Sequence, residues 1–157
     1  MGLSINTLNL KRVRDRLTNS EKAFKRYLLQ DMTRLAKKLE RFARAMAPFE
    51  TGSLEHAIYA RVKNDNSANL SIELSVSGAT PRKGYPNVTV GDYAQYMIDQ
   101  YYGLGPGSIR KQETSSVDGI RVQVGRRYLE RAVERIRKEF PSVIQNAARK
   151  AGFTRKR

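Results

Sequence analysis

The sequence predicts an α+β protein: a long N-terminal spine helix and a kinked C-terminal helix packed on a small antiparallel sheet, with long interface loops. Three patterns carry that prediction. Phe24, Leu28, Met32, Leu35, Leu39, Phe42 and Met46 recur at steps of three and four, the spacing of one helix face. Leu70, Ile72, Leu74 and Val76 alternate strictly with Ser71, Glu73, Ser75 and Ser77, as in a strand with one apolar face. Leu129, Ala132, Val133, Ile136 and Phe140, continued by Val143, Ile144, Ala147, Ala148 and Ala151, form a second helical stripe. At 157 residues the chain is expected to form one domain with a sizeable core.

In chain order, residues 1–17 read as an N-terminal arm. The alternation in "LSINTLN" (3–9) suggests a short strand or an extended segment, and Leu10, Val13 and Leu17 fit helical spacing. The spine helix is expected over 18–47, where Thr18 and Glu21 match a capping box and Pro48 ends the run. About 30 residues at 1.5 Å each give roughly 45 Å, against a radius of gyration of about 15 Å for a domain of this size. Such a helix is the spine of the domain or projects from it.

Residues 48–125 read as sheet and loops. "SLEHAIYARVKN" becomes extended, "NDNSAN" turns, and the alternating segment returns to complete a hairpin. Gly78, Pro81, Gly84, Pro86 and Gly91 mark a loop over 78–92. "DYAQYMIDQYYG" groups Tyr93, Tyr96, Tyr101 and Tyr102, with Asp92 as the expected helix N-cap. "LGPGSIRKQETSSVDG" reads as a second loop, and "GIRVQVG" as a short strand. Loops of this length are expected to be functional or ordered by a partner. Residues 126–157 form the C-terminal helix and a basic tail, kinked or broken by Pro141 and ended by Gly152.

Composition narrows the chemistry. With no cysteine and His56 as the only histidine, disulfides and thiolate metal sites are excluded and no metal is expected. The apolar runs are too short to cross a membrane, and "MGLSINTLNL" lacks the pattern of a signal peptide. The net charge is +15, unevenly spread: residues 1–47 and 126–157 each carry +8, and the middle carries −1. This favours anionic partners such as nucleic acid, an acidic protein face or anionic lipid.

No catalytic residues emerge. "GLGPGS" lacks the Lys-Ser/Thr end of a phosphate-binding loop. Asp92 and Asp99 flank the tyrosines and Glu50 and Glu55 flank the corner at 47–58, while Glu130 and Glu134 sit among basic residues at helical spacing. The chain is not expected to be an enzyme or to hold a cofactor. The tyrosines lie in the near-neutral middle, away from the basic ends, which suits a protein interface at least as well as a stacking platform for nucleic acid.

The ordered set "AMAP", "FETGSLEHAI", a hairpin, "YAQYMIDQYYG" and "GRRYLERAVERI" resembles the neck or tail-completion family of long-tailed bacteriophages, the putative minor tail components of head-tail joining. Ala47, Pro48, Thr51, Gly52 and Leu54 fill the family's first motif; Tyr93, Ala94, Tyr96 and Gly103 the second; Tyr128, Leu129 and Ala132 the third. The chain departs from the pattern at Arg126 and Arg127, where a proline is usual, at the acidic position nearest Asp99, and over 104–125, which reads as an insertion. Physically the corner is expected to be a folding device: Pro48 stops the helix, Gly52 permits the turn, Thr51 caps the turn or the next short helix, and Leu54 and Ile58 pack under the hairpin.

The resemblance implies a virion structural protein of the head-to-tail junction, assembled in the bacterial host cytoplasm. It would act by self-association into a homo-oligomeric ring, on the order of six or twelve copies, docked to other neck, connector and tail proteins. A tail terminator ring is the sister reading; a basic nucleic-acid-binding module is the alternative of another class. Tyr101, Tyr102, Leu104 and Ile109 are the candidate interface residues. Arg149, Lys150, Arg155, Lys156 and Arg157 are the candidate contacts to the phosphates of packaged DNA passing through the lumen. No membrane partner is expected.

Overall fold

The structure, a computed structural model, describes residues 7–65, 69–78, 81–99 and 102–153, with side chains described over 15–63, 70–78, 81–98 and 102–153. The fold is α+β, as expected. Helix α1 runs over Thr7–Met46, α2 over Ser53–Ala57, α3 over Val90–Asp99, α4 over Pro106–Thr114, α5 over Tyr128–Arg137 and α6 over Phe140–Lys150. The sheet is not continuous: strands β1 (Ile58–Asp65) and β2 (Asn69–Val76), β3 (Pro81–Arg82) and β4 (Tyr85–Thr89), and β5 (Ser116–Val117) and β6 (Ile120–Arg121) form three separate antiparallel pairs.

The contacts divide the chain into two compact units. One comprises the described parts of Met1–Met32 and Phe140–Arg157, the other Thr33–Glu139. Helix α1 contributes to both. It is also longer than expected, 40 residues or about 60 Å. Neither glycine nor proline occurs between Thr7 and Met46, so nothing interrupts the helix at Thr18, and the expected capping box does not form. Glu21 instead pairs with Lys25 one turn on, at 2.8 Å. Residues 3–6 of the expected arm lie outside the described residues.

In the first unit, Met32 and Ala147 are buried and Ala151 nearly so. The buried Asp31 carboxylate accepts two bonds from Lys150 Nζ, at 2.8 and 3.0 Å. The C-terminal helix breaks just before Phe140, one residue ahead of Pro141, which stands in the first turn of α6. Its end is a Schellman turn: Gly152 has φ +82°, its N–H donates to Arg149 O, and Phe153 N–H donates to Ala148 O. Phe153 then meets the edge of Phe24, with centroids 5.9 Å apart.

In the second unit, Leu35, Ala36, Leu39, Phe42, Ala43 and Met46 continue the α1 stripe into the core. Tyr128, Ala132 and Ile136 of α5 are buried as well; Val133, assigned to that stripe from its spacing, is exposed. Thr89, not Asp92, caps α3. The Thr89 hydroxyl accepts from Asp92 N–H at 3.1 Å, and the Asp92 carboxylate accepts from the Thr89 hydroxyl and N–H in return.

Candidate assembly interface

The corner after α1 is held by the segment that reads as an insertion. A helix C-terminus leaves carbonyls without intrahelical donors. Here Arg44 O and Ala47 O accept from Lys111 Nζ at 2.6 and 2.7 Å, Ala45 O from the Ser115 hydroxyl at 3.2 Å, and Met46 O from Gly125 N–H at 2.9 Å. Beyond Pro48, Phe49 N–H donates to Ser108 Oγ and the same hydroxyl donates to Phe49 O. Residues 104–125 are therefore ordered by the chain itself, as the cap of its longest helix. The expected loop at 104–119 contains helix α4, with Pro106 in its first turn, the position proline favours. Gly107 is required there because a Cβ would lie 2.8 Å from Phe49 O.

Lys111 also pairs with Glu55 of α2, and the two side chains are only 14% and 24% exposed. Burial holds the Lys111 ammonium below its ordinary pKa. Gly52 adopts the left-handed conformation, φ +80°, expected of the turn. The Thr51 hydroxyl bonds that of Ser53 at 2.9 Å, and His56 Nδ1 donates to Gly52 O at 2.8 Å, so the lone histidine closes the turn. Leu54 and Ile58 are buried behind it.

On the far side of the corner, the Arg82 guanidinium lies between the rings of Tyr85 and Tyr93, 4.2 and 3.8 Å from their centroids. It pairs with Glu50, which also accepts from the Tyr85 hydroxyl at 3.2 Å. Arg82 is nearly buried, its side chain 9% exposed, whereas Glu50 is 48% exposed. This cluster joins the corner at 47–58 to the tyrosine segment that begins at Tyr93. Beside it opens a cleft of about 400 Å³, walled by Phe49, Tyr93, Tyr96 and Tyr102 and lined by Gly103, Gly105 and Gly107.

The β1–β2 hairpin pairs Ile58 with Val76, Ala60 with Leu74 and Val62 with Ile72. Its root is fixed: Arg44 donates twice to Ile58 O, and Ala60 N–H donates to Glu40. Beyond the root, Val62, Leu70, Ile72 and Leu74 are only half-buried, and β2 has no second strand partner among the described residues. The opposite face is polar, with Glu73 bridging Arg61 and Lys63 at 2.7 and 2.9 Å.

The motif residues fall into three classes. Pro48, Leu54, Ala94, Tyr128 and Ala132 are buried, Thr51, Gly52, Tyr93 and Leu129 are half-buried, and Tyr96 and Gly103 are exposed. Of the candidate interface residues, Ile109 is exposed, Tyr102 and Leu104 are half-buried, and Tyr101 lies outside the described residues. Of the candidate DNA contacts, Arg149 is exposed, while Lys150 is taken up by Asp31 and lies 5.9 Å from the Tyr27 ring centroid, so it is not a free cation. Arg155, Lys156 and Arg157 lie outside the described residues. Sequence reasoning missed Lys111 and Arg82, whose partners are distant in the chain.

The hydroxyls of Tyr102 and Tyr128 are buried without a hydrogen-bond partner. Burial pushes the Tyr102 phenol up to about 12 and raises that of Tyr128 as well. Unfolded phenols release their protons near pH ~10, whereas these two keep theirs, so their contribution is complete below that pH and is lost as pH climbs through the folded values. Lys111 works in the opposite sense only up to its own unfolded value of about 10.5. Above it, unfolding should accompany tyrosinate formation, and circular dichroism should fall together with the rise of tyrosinate absorbance. Tyr128→Phe, which removes an unsatisfied buried hydroxyl, should stabilise the protein by about 1 kcal/mol in denaturant unfolding.

No protein-family model, curated protein or solved structure matches the chain. Among the described residues no group of His, Asp or Glu side chains is placed to hold a metal ion, and no helix is long and apolar enough to cross a membrane.

Proposed function

We propose that this chain is a structural subunit of the head-to-tail junction of a tailed bacteriophage, a neck or tail-completion protein that closes into a ring between head connector and tail. The observation that carries the proposal is the β1–β2 hairpin. A two-stranded hairpin is marginal in water, and this one has an apolar face half-exposed beyond its root and an open β2 edge. The same unit holds the aromatic, glycine-lined cleft beside Phe49. Two unlike complementary surfaces on one subunit are what a head-to-tail ring uses, each copy covering the hairpin of its neighbour. The role is structural rather than catalytic: Glu50 and Glu55, the carboxylates flanking the corner, are both engaged by cations, the buried Arg82 and the half-buried Lys111. A tail terminator would use the same surfaces at the tail end.

Copy number tests the proposal. Particles sedimented from infected cells in high salt should contain this chain at a small multiple of six per particle when quantified against the major capsid protein. Its absence from particles, with recovery in a soluble nucleic-acid-bound fraction, would sink the reading and leave a basic binding module. Ile72→Lys should abolish the ring in sedimentation velocity while moving unfolding of the isolated subunit by only about 0.5 kcal/mol, because the site is half-exposed in the single copy.

A further inference from the structure

The second unit pairs its cations with carboxylates nearly everywhere they matter to the fold. Lys38 faces Glu139, Arg41 faces Asp118, Arg44 faces Glu40, and Arg61 and Lys63 share Glu73. Arg82, Lys111 and Arg127 have Glu50, Glu55 and Glu130. One place breaks the rule. An open cleft of about 800 Å³ beside α5 is lined by Arg131, Arg135, Arg137 and Lys138, none of them in an ion pair among the described residues. Glu134 is the one acid there that is not already neutralised, since Glu139 is bound by Lys38 at 2.7 Å.

We propose that this cleft binds the phosphodiester backbone of a nucleic acid through Arg131, Arg135 and Lys138. The proposal is independent of ring assembly. Arg131 and Arg135 stand at i and i+4 on α5, and Lys138 follows at i+7 as its C-cap, still in helical conformation, so the three share one face and span about 10 Å at 1.5 Å per residue. That length matches roughly three nucleotide steps of one strand at about 3.4 Å each. A free inorganic phosphate would engage one or two of these groups, whereas a backbone engages the row. The scaffold holds the first two side chains in place. Arg131 Nη2 donates to Gly125 O at 3.1 Å, and the Arg135 guanidinium lies 5.3 Å from the centroid of the buried Phe42 ring. Arg131 Nε is buried with no partner, and burial lowers the pKa of this guanidinium, so the protein leaves its charge uncompensated. Contacts to phosphates position a backbone and carry no base identity, so binding by this row is expected to be blind to sequence.

The test is binding of a short random-sequence DNA duplex by fluorescence anisotropy as salt rises from about 50 to about 200 mM. Each phosphate contact contributes about −0.9 to the slope of log affinity against log salt, so Arg131→Gln with Arg135→Gln and Lys138→Gln should make the slope shallower by about 2–3. Arg16→Gln with Lys22→Gln and Lys37→Gln removes the same charge from exposed positions of α1 and should change it much less. Equal loss in both triples would mean that net charge alone acts, and would overturn the proposal. An unchanged slope in the α5 triple would overturn it too, even if inorganic phosphate at matched ionic strength displaced a ligand from the parent, since that result describes a free-phosphate site. Should the triple fail to fold by circular dichroism, Arg135→Gln alone, at an exposed position with no hydrogen bond, is expected to reduce the slope by about one.

Discussion

Lys111→Met is expected to lower the unfolding free energy of the Thr33–Glu139 unit by about 3–5 kcal/mol. Methionine fills most of the volume of the lysine stem, so the loss is one of charge and hydrogen bonds rather than packing. Glu55, 24% exposed, would remain as a poorly hydrated anion, and the carbonyls of Arg44 and Ala47 would lose the ammonium at the negative end of α1. In a chain of this size the melting temperature should fall by roughly 2–4 °C for each kcal/mol. Adding Glu55→Gln should recover part of the loss, because it removes the stranded charge, and the double-mutant cycle should give a coupling well above that of an exposed pair. A single-variant loss below about 1 kcal/mol would place Lys111 among ordinary surface lysines and refute the cap.

Glu50→Ala is expected to cost about 3 kcal/mol, more than Arg82→Met at the other end of the same pair. The asymmetry follows from exposure. Removing Glu50 leaves a guanidinium that is 9% exposed with only two ring faces for company, whereas removing Arg82 leaves a carboxylate that is 48% exposed and still bonded by Tyr85. Methionine would keep the slot between the rings of Tyr85 and Tyr93 filled. Arg82→Lys would not be conservative, since an ammonium cannot lie flat between two rings and pair with the carboxylate together. Chemical denaturation of the three variants ranks them directly; equal costs for Glu50→Ala and Arg82→Met would contradict the buried-cation account.

The parts of this fold that read correctly from sequence are those set by local period. The α1 stripe and the alternation of β2 each repeat a spacing that only one secondary structure satisfies, and Pro48 and Gly52 impose the corner through their own backbone limits. Local signals also misled. Thr18 and Glu21 match a cap, yet a cap motif cannot stop a helix that lacks a breaker on either side. Gly105, Pro106 and Gly107 read as loop, although proline opens α4 and the second glycine makes room for Phe49. Of the candidate site, the tyrosine segment could be singled out from the sequence, but Lys111 and Arg82 could not. Each looks like any exposed cation in its own neighbourhood, and its hydrogen-bond and ion-pair partners lie 32 to 67 positions away. Spacing carries no information about such contacts.

The capping of α1 by distant residues also sets an order of events during synthesis. The helix leaves the ribosome first, but the groups that close its end arrive only with Lys111, Ser115 and Gly125. At about 5–20 residues per second, the interval between Met46 and Gly125 is roughly 4–16 s. Throughout it the carbonyls of Ala45, Met46 and Ala47 lack their protein donors and the corner has no anchor. The hairpin is made within the same interval, so its apolar face emerges before the platform beneath it is locked. A fixed corner therefore exists only once the chain has been made through Gly125, and a nascent fragment ending before Lys111 has none.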